Sequence, residues 1–238
     1  MPAIQSVSKQ ALKTFGANTF NASFEDNFAK LKSLVDSISA VDVNLDCRLL
    51  EGPISCPSSR HMKKPPISYI KVFENDILSI GIFVLRPGAK IPLHDHPRMH
   101  GVLKVLKGTL KLQSYNLLPA EGGASKETRG ARKRAVLAEK LPAVLVNERD
   151  ASCVLTPDQG NLHEIIPVNG PAAFIDLLAP PYETTVPNSG ERSCHYFKET
   201  KLHDSRRQST PNMVALVSIP CPREFGSEYA PYTGPVLE

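Results

Sequence analysis

Gly88-Ala-Lys-Ile-Pro-Leu-His-Asp-His-Pro97 places two histidines one residue apart, at positions 94 and 96, behind a glycine and a short apolar run. Side chains two apart on a strand point to the same face, so both imidazoles are offered together, which is a metal-ligand spacing. Further along, Pro157-Asp-Gln-Gly160-Asn-Leu-His163 uses a glycine-containing turn to deliver a third histidine into another strand-like run. Three imidazoles can cap one face of an octahedral ion and leave its other positions open for chemistry.

The surroundings of these motifs read as strands. Tyr69 to Phe73, Leu78 to Leu85, Val102 to Leu106, Thr109 to Tyr115, Ala143 to Val146, Ser152 to Leu155, Leu162 to Ile166, Ala172 to Leu178, His195 to Lys198 and Val214 to Ile219 each carry a short β pattern. Lys107-Gly108, Glu148-Arg-Asp150 and Asn169-Gly170 supply turns between them. So many short strands without intervening helices predict a mainly-β protein, a jelly-roll barrel with its ligands on inward positions. Helical patterns occur only near the start. Ser8 to Phe15 is stopped by Gly16, and Ser23 can cap a longer helix whose stripe is Phe24, Phe28, Leu31, Val35 and Ile38. The expected organisation is a helical segment over residues 1–45 packed on a barrel domain over 46–238, with a flexible insertion at 119–141 where the hydrophobic rhythm stops.

Composition narrows the function classes. With 238 residues, the chain can bury one sizeable core, and its 21 prolines suit strand ends and loops. The N-terminus lacks a signal-peptide pattern and no eighteen-residue apolar run occurs, so a soluble protein of the cytoplasm, with the nucleus also open to it, is expected. Cys47, Cys56, Cys153, Cys194 and Cys221 are odd in number and irregularly spaced, which indicates neither a disulfide framework nor a zinc ribbon. The net charge of +4 is modest, and the basic run from Lys126 to Arg134 lacks aromatic neighbours, so no nucleic-acid partner is expected. A monomer is expected.

The glycine six positions before His94, the turn glycine Gly108 and the later His163 together resemble the two metal-binding motifs of the cupin superfamily, whose fold is a double-stranded β-helix. Many cupins place a glutamate ligand where this chain has Gly101, so the set implied here is His94, His96 and His163. Three neutral ligands leave the full dipositive charge on an ion, which favours an anionic substrate such as a thiolate. The runs His94-Asp-His-Pro-Arg-Met-His-Gly-Val-Leu-Lys-Val-Leu-Lys-Gly108-Thr, Pro157-x-x-Gly-Asn-Leu-His-Glu-Ile and Phe174-Ile-Asp-Leu-Leu-Ala-Pro-Pro-Tyr182 are similar to those of the thiol dioxygenases typified by cysteamine dioxygenase and the plant cysteine oxidases. The similarity extends from about Ile67 to the C-terminus. It implies a mononuclear Fe(II) enzyme that adds both atoms of O2 to the thiol of cysteamine or of a protein N-terminal cysteine, giving a sulfinic acid, with a link to oxygen sensing. A cupin that binds a metal or ligand without turnover is the alternative.

Other positions are read individually. Asp176, a lone carboxylate in an apolar strand, is expected to contact the substrate amine or a ligand histidine, with plain packing as the alternative. Tyr182 lines the pocket or packs. Cys194 and Tyr196 share a strand face, which leaves a thioether link between them open. His100 and Arg98 are pocket candidates; Arg98 stands where the family pattern has a small glycine. His61, His195 and His203 have no partner spacing and read as surface or packing residues.

Overall fold

The computed structural model describes residues 2–16, 23–51, 65–119, 135–186, 190–200 and 212–237. Two helices, α1 (Ala3–Phe15) and α2 (Phe24–Asp36), precede the strands. Helix α2 starts where the sequence predicts, because the Ser23 hydroxyl accepts the Asp26 N–H and satisfies one of the open donors of the first turn. The strands are β1 (Ile67–Glu74), β2 (Ser79–Leu85), β3 (Ile91–Asp95), β4 (His100–Lys107), β5 (Thr109–Leu117), β6 (Ala135–Lys140), β7 (Val144–Asn147), β8 (Cys153–Leu155), β9 (Leu162–Pro167) and β10 (Ala172–Ala179). They continue with β11 (Thr185–Val186), β12 (Gly190–Glu191), β13 (Tyr196–Thr200), β14 (Met213–Ile219) and β15 (Ser227–Tyr229).

One sheet runs β15-β1-β2-β10-β4-β8, and the facing sheet runs β6-β14-β13-β3-β9-β5-β7 with β6 also pairing to β5. This is the expected double-stranded β-helix. Strand β10, Ala-Ala-Phe-Ile-Asp-Leu-Leu-Ala, is buried along its whole length, because both of its faces are covered. Ile175, Leu177 and Ala179 join Ile4, Val7, Leu31 and Val35 of the helices in one core, whereas Phe174 joins Leu103, Leu110, Leu112 and Ile165 inside the barrel. By the same alternation Asp176 falls on the barrel side. The chain passes from β4 in one sheet to β5 in the other at Gly108, whose φ of +77° and closeness to the Pro171 carbonyl leave no room for a Cβ.

Most of the stretch 119–141, including the basic run, lies outside the described residues, as do His61, His203 and Cys56. Its end differs from a flexible insertion: Ala135–Lys140 is strand β6, held between β14 and β5. Small and polar residues mask its alternation in the sequence, and its regularity comes from partners on both sides.

Candidate metal centre

Strand β3 carries His94, His96 follows directly at its end, and β9 carries His163 in register opposite His94. The antiparallel pairing of β3 with β9 thus brings two distant sequence motifs into one cluster. The ring centroids are 4.7 to 4.8 Å apart, and one potential ligand atom from each residue lies within 4.8 Å of the others. His96 Nε2 and His163 Nε2 are 3.0 Å apart. Two nitrogens each about 2.1 Å from a common ion at a right angle would be separated by roughly 3 Å, so the spacing suits a shared metal.

The outer nitrogens are committed elsewhere. His94 Nδ1 is 2.8 Å from the Pro92 carbonyl, which can only accept, so Nδ1 carries the proton and Nε2 is left with its lone pair. His96 Nδ1 is 2.8 Å from the Tyr182 hydroxyl, which in turn donates to the Asp95 carbonyl at 2.5 Å. This relay makes His96 Nδ1 the donor and again directs a free Nε2 inward. Burial holds His94 down to about 4 and His96 and His163 well below the ordinary imidazole range. Three neutral nitrogen donors converging in a buried site are what a divalent ion requires.

The polypeptide around His96 is clamped from two directions. Asn161 Nδ2 donates to the His96 carbonyl at 2.7 Å and to the Thr156 carbonyl at 2.9 Å. Arg192, buried, donates from Nε to the Pro97 carbonyl and from its terminal nitrogen to the Thr184 hydroxyl, joining the loop after His96 to the Tyr182 loop. Asp95 points away from the cluster and accepts from His195 N at 2.8 Å and His195 Nδ1 at 3.1 Å. Asn161 sits inside a motif the sequence singles out but has no role there; Arg192 and the Asp95–His195 contact have no local signal, because their partners come from other strands.

Asp176 and Tyr182 border a cavity of about 440 Å³ with Tyr69, Gly81, Phe83 and Pro181. Asp176 also faces a hollow of about 30 Å³ shared with His163, Gly101, Ser114 and Leu155. The carboxyl therefore stands between the histidine cluster and the larger opening. Burial without a compensating cation pushes it up to about 8. Tyr69 lies over Gly81, where any Cβ would strike its ring, so that glycine makes room for the aromatic wall. Cys194 is half-buried, and burial pushes its thiol up to about 11.

Two pocket candidates are placed elsewhere. His100 leaves the site because β4 alternation turns it toward the helices, where it lies 5.9 Å from Phe15, 5.1 Å from Phe24 and 6.0 Å from Phe28. Arg98 is exposed with a φ of 57°, at the third position of a turn closed by Met99 N donating to the His96 carbonyl. A turn of this type favours glycine there, which accounts for the small residue of the family pattern. His195 is exposed, as expected, yet has a partner in Asp95.

The PCO_ADO family matches residues 34–237 of the chain. The 2-aminoethanethiol dioxygenase of Homo sapiens is 36% identical over 98% of this chain and 95% of its own length. Plant cysteine oxidase 1 of Arabidopsis thaliana is 32% identical over 75% of this chain and 57% of that protein. Among solved structures, a cupin superfamily protein of Desulfitobacterium hafniense covers 55% of this chain and 93% of itself at 10% identity, with a TM-score of 0.34.

Proposed function

Because this chain belongs to the PCO_ADO family and is a thiol dioxygenase, we propose that it oxidises a 2-aminoethanethiol group, in cysteamine or at a protein N-terminal cysteine, to the sulfinic acid. The observation that carries this reading is a buried cluster of three neutral histidines beside Asp176, which lines both the small hollow at His163 and the larger cavity. His94, His96 and His163 would hold iron(II). Bound there, the ion would supply the site for the thiolate and the activation of O2.

The chain's own residues do the rest. Pro92 and Tyr182 orient the imidazoles through their outer nitrogens, and Asn161 and Arg192 hold the backbone that carries them. Asp176 is placed to accept a hydrogen bond from the substrate amine, and a cationic ammonium would bring its raised carboxyl back toward the ionised form. Phe83 and Leu178 supply apolar lining for the substrate's hydrocarbon part. Residues of β1, β2, β10 and β15 line the cavity, which offers a peptide end a route to Asp176. Oxygen-dependent marking of protein N-termini is the role this would serve, by a monomer in the cytoplasm or nucleus; among the described residues no helix is long and apolar enough to cross a membrane.

The test is anaerobic loading with iron(II), admission of O2, and mass spectrometry of cysteamine and a short Cys-initiated peptide in parallel. A gain of two oxygen atoms by the peptide supports the protein-directed role, and a gain by cysteamine alone restricts the enzyme to small thiols. No gain by either overturns the proposal and leaves a metal-binding cupin without turnover.

A further inference from the structure

A row of four aromatic rings leads from the barrel interior to the edge of its sheet. The register of β10, β2, β1 and β15 sets Phe174 opposite Phe83, Phe83 opposite Tyr69, and Tyr69 beside Tyr229. Successive ring centroids lie 5.1, 4.9 and 5.6 Å apart, so each ring touches the next along the whole row. Phe174 is buried at the inner end, and Tyr229 is 78% exposed at the outer one. Asp176 stands two residues from Phe174 and therefore on the same face of β10, and Asp176 and Tyr229 line one cavity of about 440 Å³. Although β15 has only three residues, its neighbours fix it: the buried Arg86 reaches Glu228 at 2.7 Å, and Ala230 N donates to the Tyr69 carbonyl at 2.9 Å. A ring held this way gives up little conformational freedom when a ligand covers it.

We propose that Tyr229 is a specificity-determining residue, the docking point for an apolar side chain at the fourth or fifth position of a peptide substrate. The inference rests on the dioxygenase reading, in which the substrate amine meets Asp176. Three inter-strand spacings, roughly 14 Å, separate β10 from β15. An extended chain advances about 3.3–3.6 Å per residue, so a peptide anchored at Asp176 by its first residue arrives at Tyr229 about four residues later. The cavity volume falls in the range that encloses drug-sized ligands, far more than the two-carbon cysteamine fills. Space beyond Asp176 is therefore available to the residues that follow a cysteine, and Tyr229 is the exposed aromatic surface at its far side. An apolar side chain laid on that ring buries surface that no small thiol can cover.

The full-length protein loaded with iron(II) is given Cys-Gly amide or the longer Cys-Gly-Ser-Leu-Leu amide under O2, and kcat/KM is compared for the parent, Tyr229→Phe and Tyr229→Ala. In the parent and in Tyr229→Phe the longer peptide should be favoured by about three- to tenfold, the worth of one aromatic contact, and Tyr229→Ala should lose that gain. An equal gain in the parent and Tyr229→Ala, or no gain in the parent, overturns the proposal and leaves the dioxygenase reading standing. Binding is read apart from turnover by titrating the metal-free protein into the longer peptide with Ser in place of Cys and fluorescein at its C-terminus, followed by anisotropy. Tyr229→Ala should bind this probe about three- to tenfold more weakly than the parent, and Tyr229→Phe should match the parent. If no thiol is oxidised, the dioxygenase reading falls and this titration alone decides: affinity that depends on Tyr229 sustains the docking point, whereas affinity indifferent to Tyr229, or no binding, overturns it.

Discussion

Replacing Tyr182 with Phe removes one oxygen and tests the relay that orients His96. The ring and its packing persist, while His96 Nδ1 loses a partner at 2.8 Å and the Asp95 carbonyl loses one at 2.5 Å. Leaving a buried polar group unpaired costs about 1–3 kcal/mol. Tyr182 is only partly buried, so water from the cavity can replace the lost partner and the low end of that range applies to stability. Orientation is harder to replace. A water does not hold the ring against rotation, and removing the hydrogen-bond partner of a ligand histidine typically lowers metal affinity 10- to 100-fold, about 1.4–2.7 kcal/mol. Anaerobic competition of iron(II) or cobalt(II) against a calibrated chelator reads this directly, with circular dichroism confirming the fold. Tyr182→Phe should bind metal at least ten-fold more weakly than the parent. Affinity within two-fold of the parent, together with a large fall in kcat, would refute the orienting role and place the hydroxyl on the substrate.

The remaining predictions address the other parts of the site. Asp176 rises from 3.8 to about 8 on burial, so between those values the unfolded chain ionises first and metal-free protein loses stability as pH rises, by on the order of 5 kcal/mol at most across the window. Asp176→Asn should flatten that dependence in urea midpoints at pH 5.5 and 8 and lower turnover more than metal content; an unchanged slope would sink the buried-carboxyl argument. His163→Ala should abolish metal retention while thermal unfolding stays cooperative, since the apolar faces of the strands supply the stability; a variant that unfolds yet still retains the metal would contradict it. Arg98→Gly relieves a left-handed conformation at an exposed turn and should raise stability by about 0.5–1 kcal/mol, measured as a shifted urea midpoint. A drop in stability would show that the Arg98 side chain contributes contacts the turn geometry does not reveal.

His100 and His163 show how far a linear pattern reaches. His100 is four residues from His96, yet it packs among Phe15, Phe24 and Phe28, because β4 presents successive side chains to opposite faces and the helices cover one of them. His163 is 67 residues from His96, yet their Nε2 atoms are 3.0 Å apart, because β3 and β9 are paired. Asn161 was within a motif, whereas Arg192 and the Asp95–His195 contact became visible only when separate strands and loops were brought together.

By itself the sequence determined the mainly-β class, most strand positions, the Ser23 helix start and the three histidines, since these depend on periodicity, turn chemistry and spacing within a few residues. The tertiary structure decided which nitrogen of His94 and His96 points inward, that Asp176 separates the cluster from the cavity, and that Ala135–Lys140 is a strand. Those features require hydrogen-bond partners and strand neighbours far apart along the chain, whose pairing is selected by burial of both sheets rather than by any local run of residues.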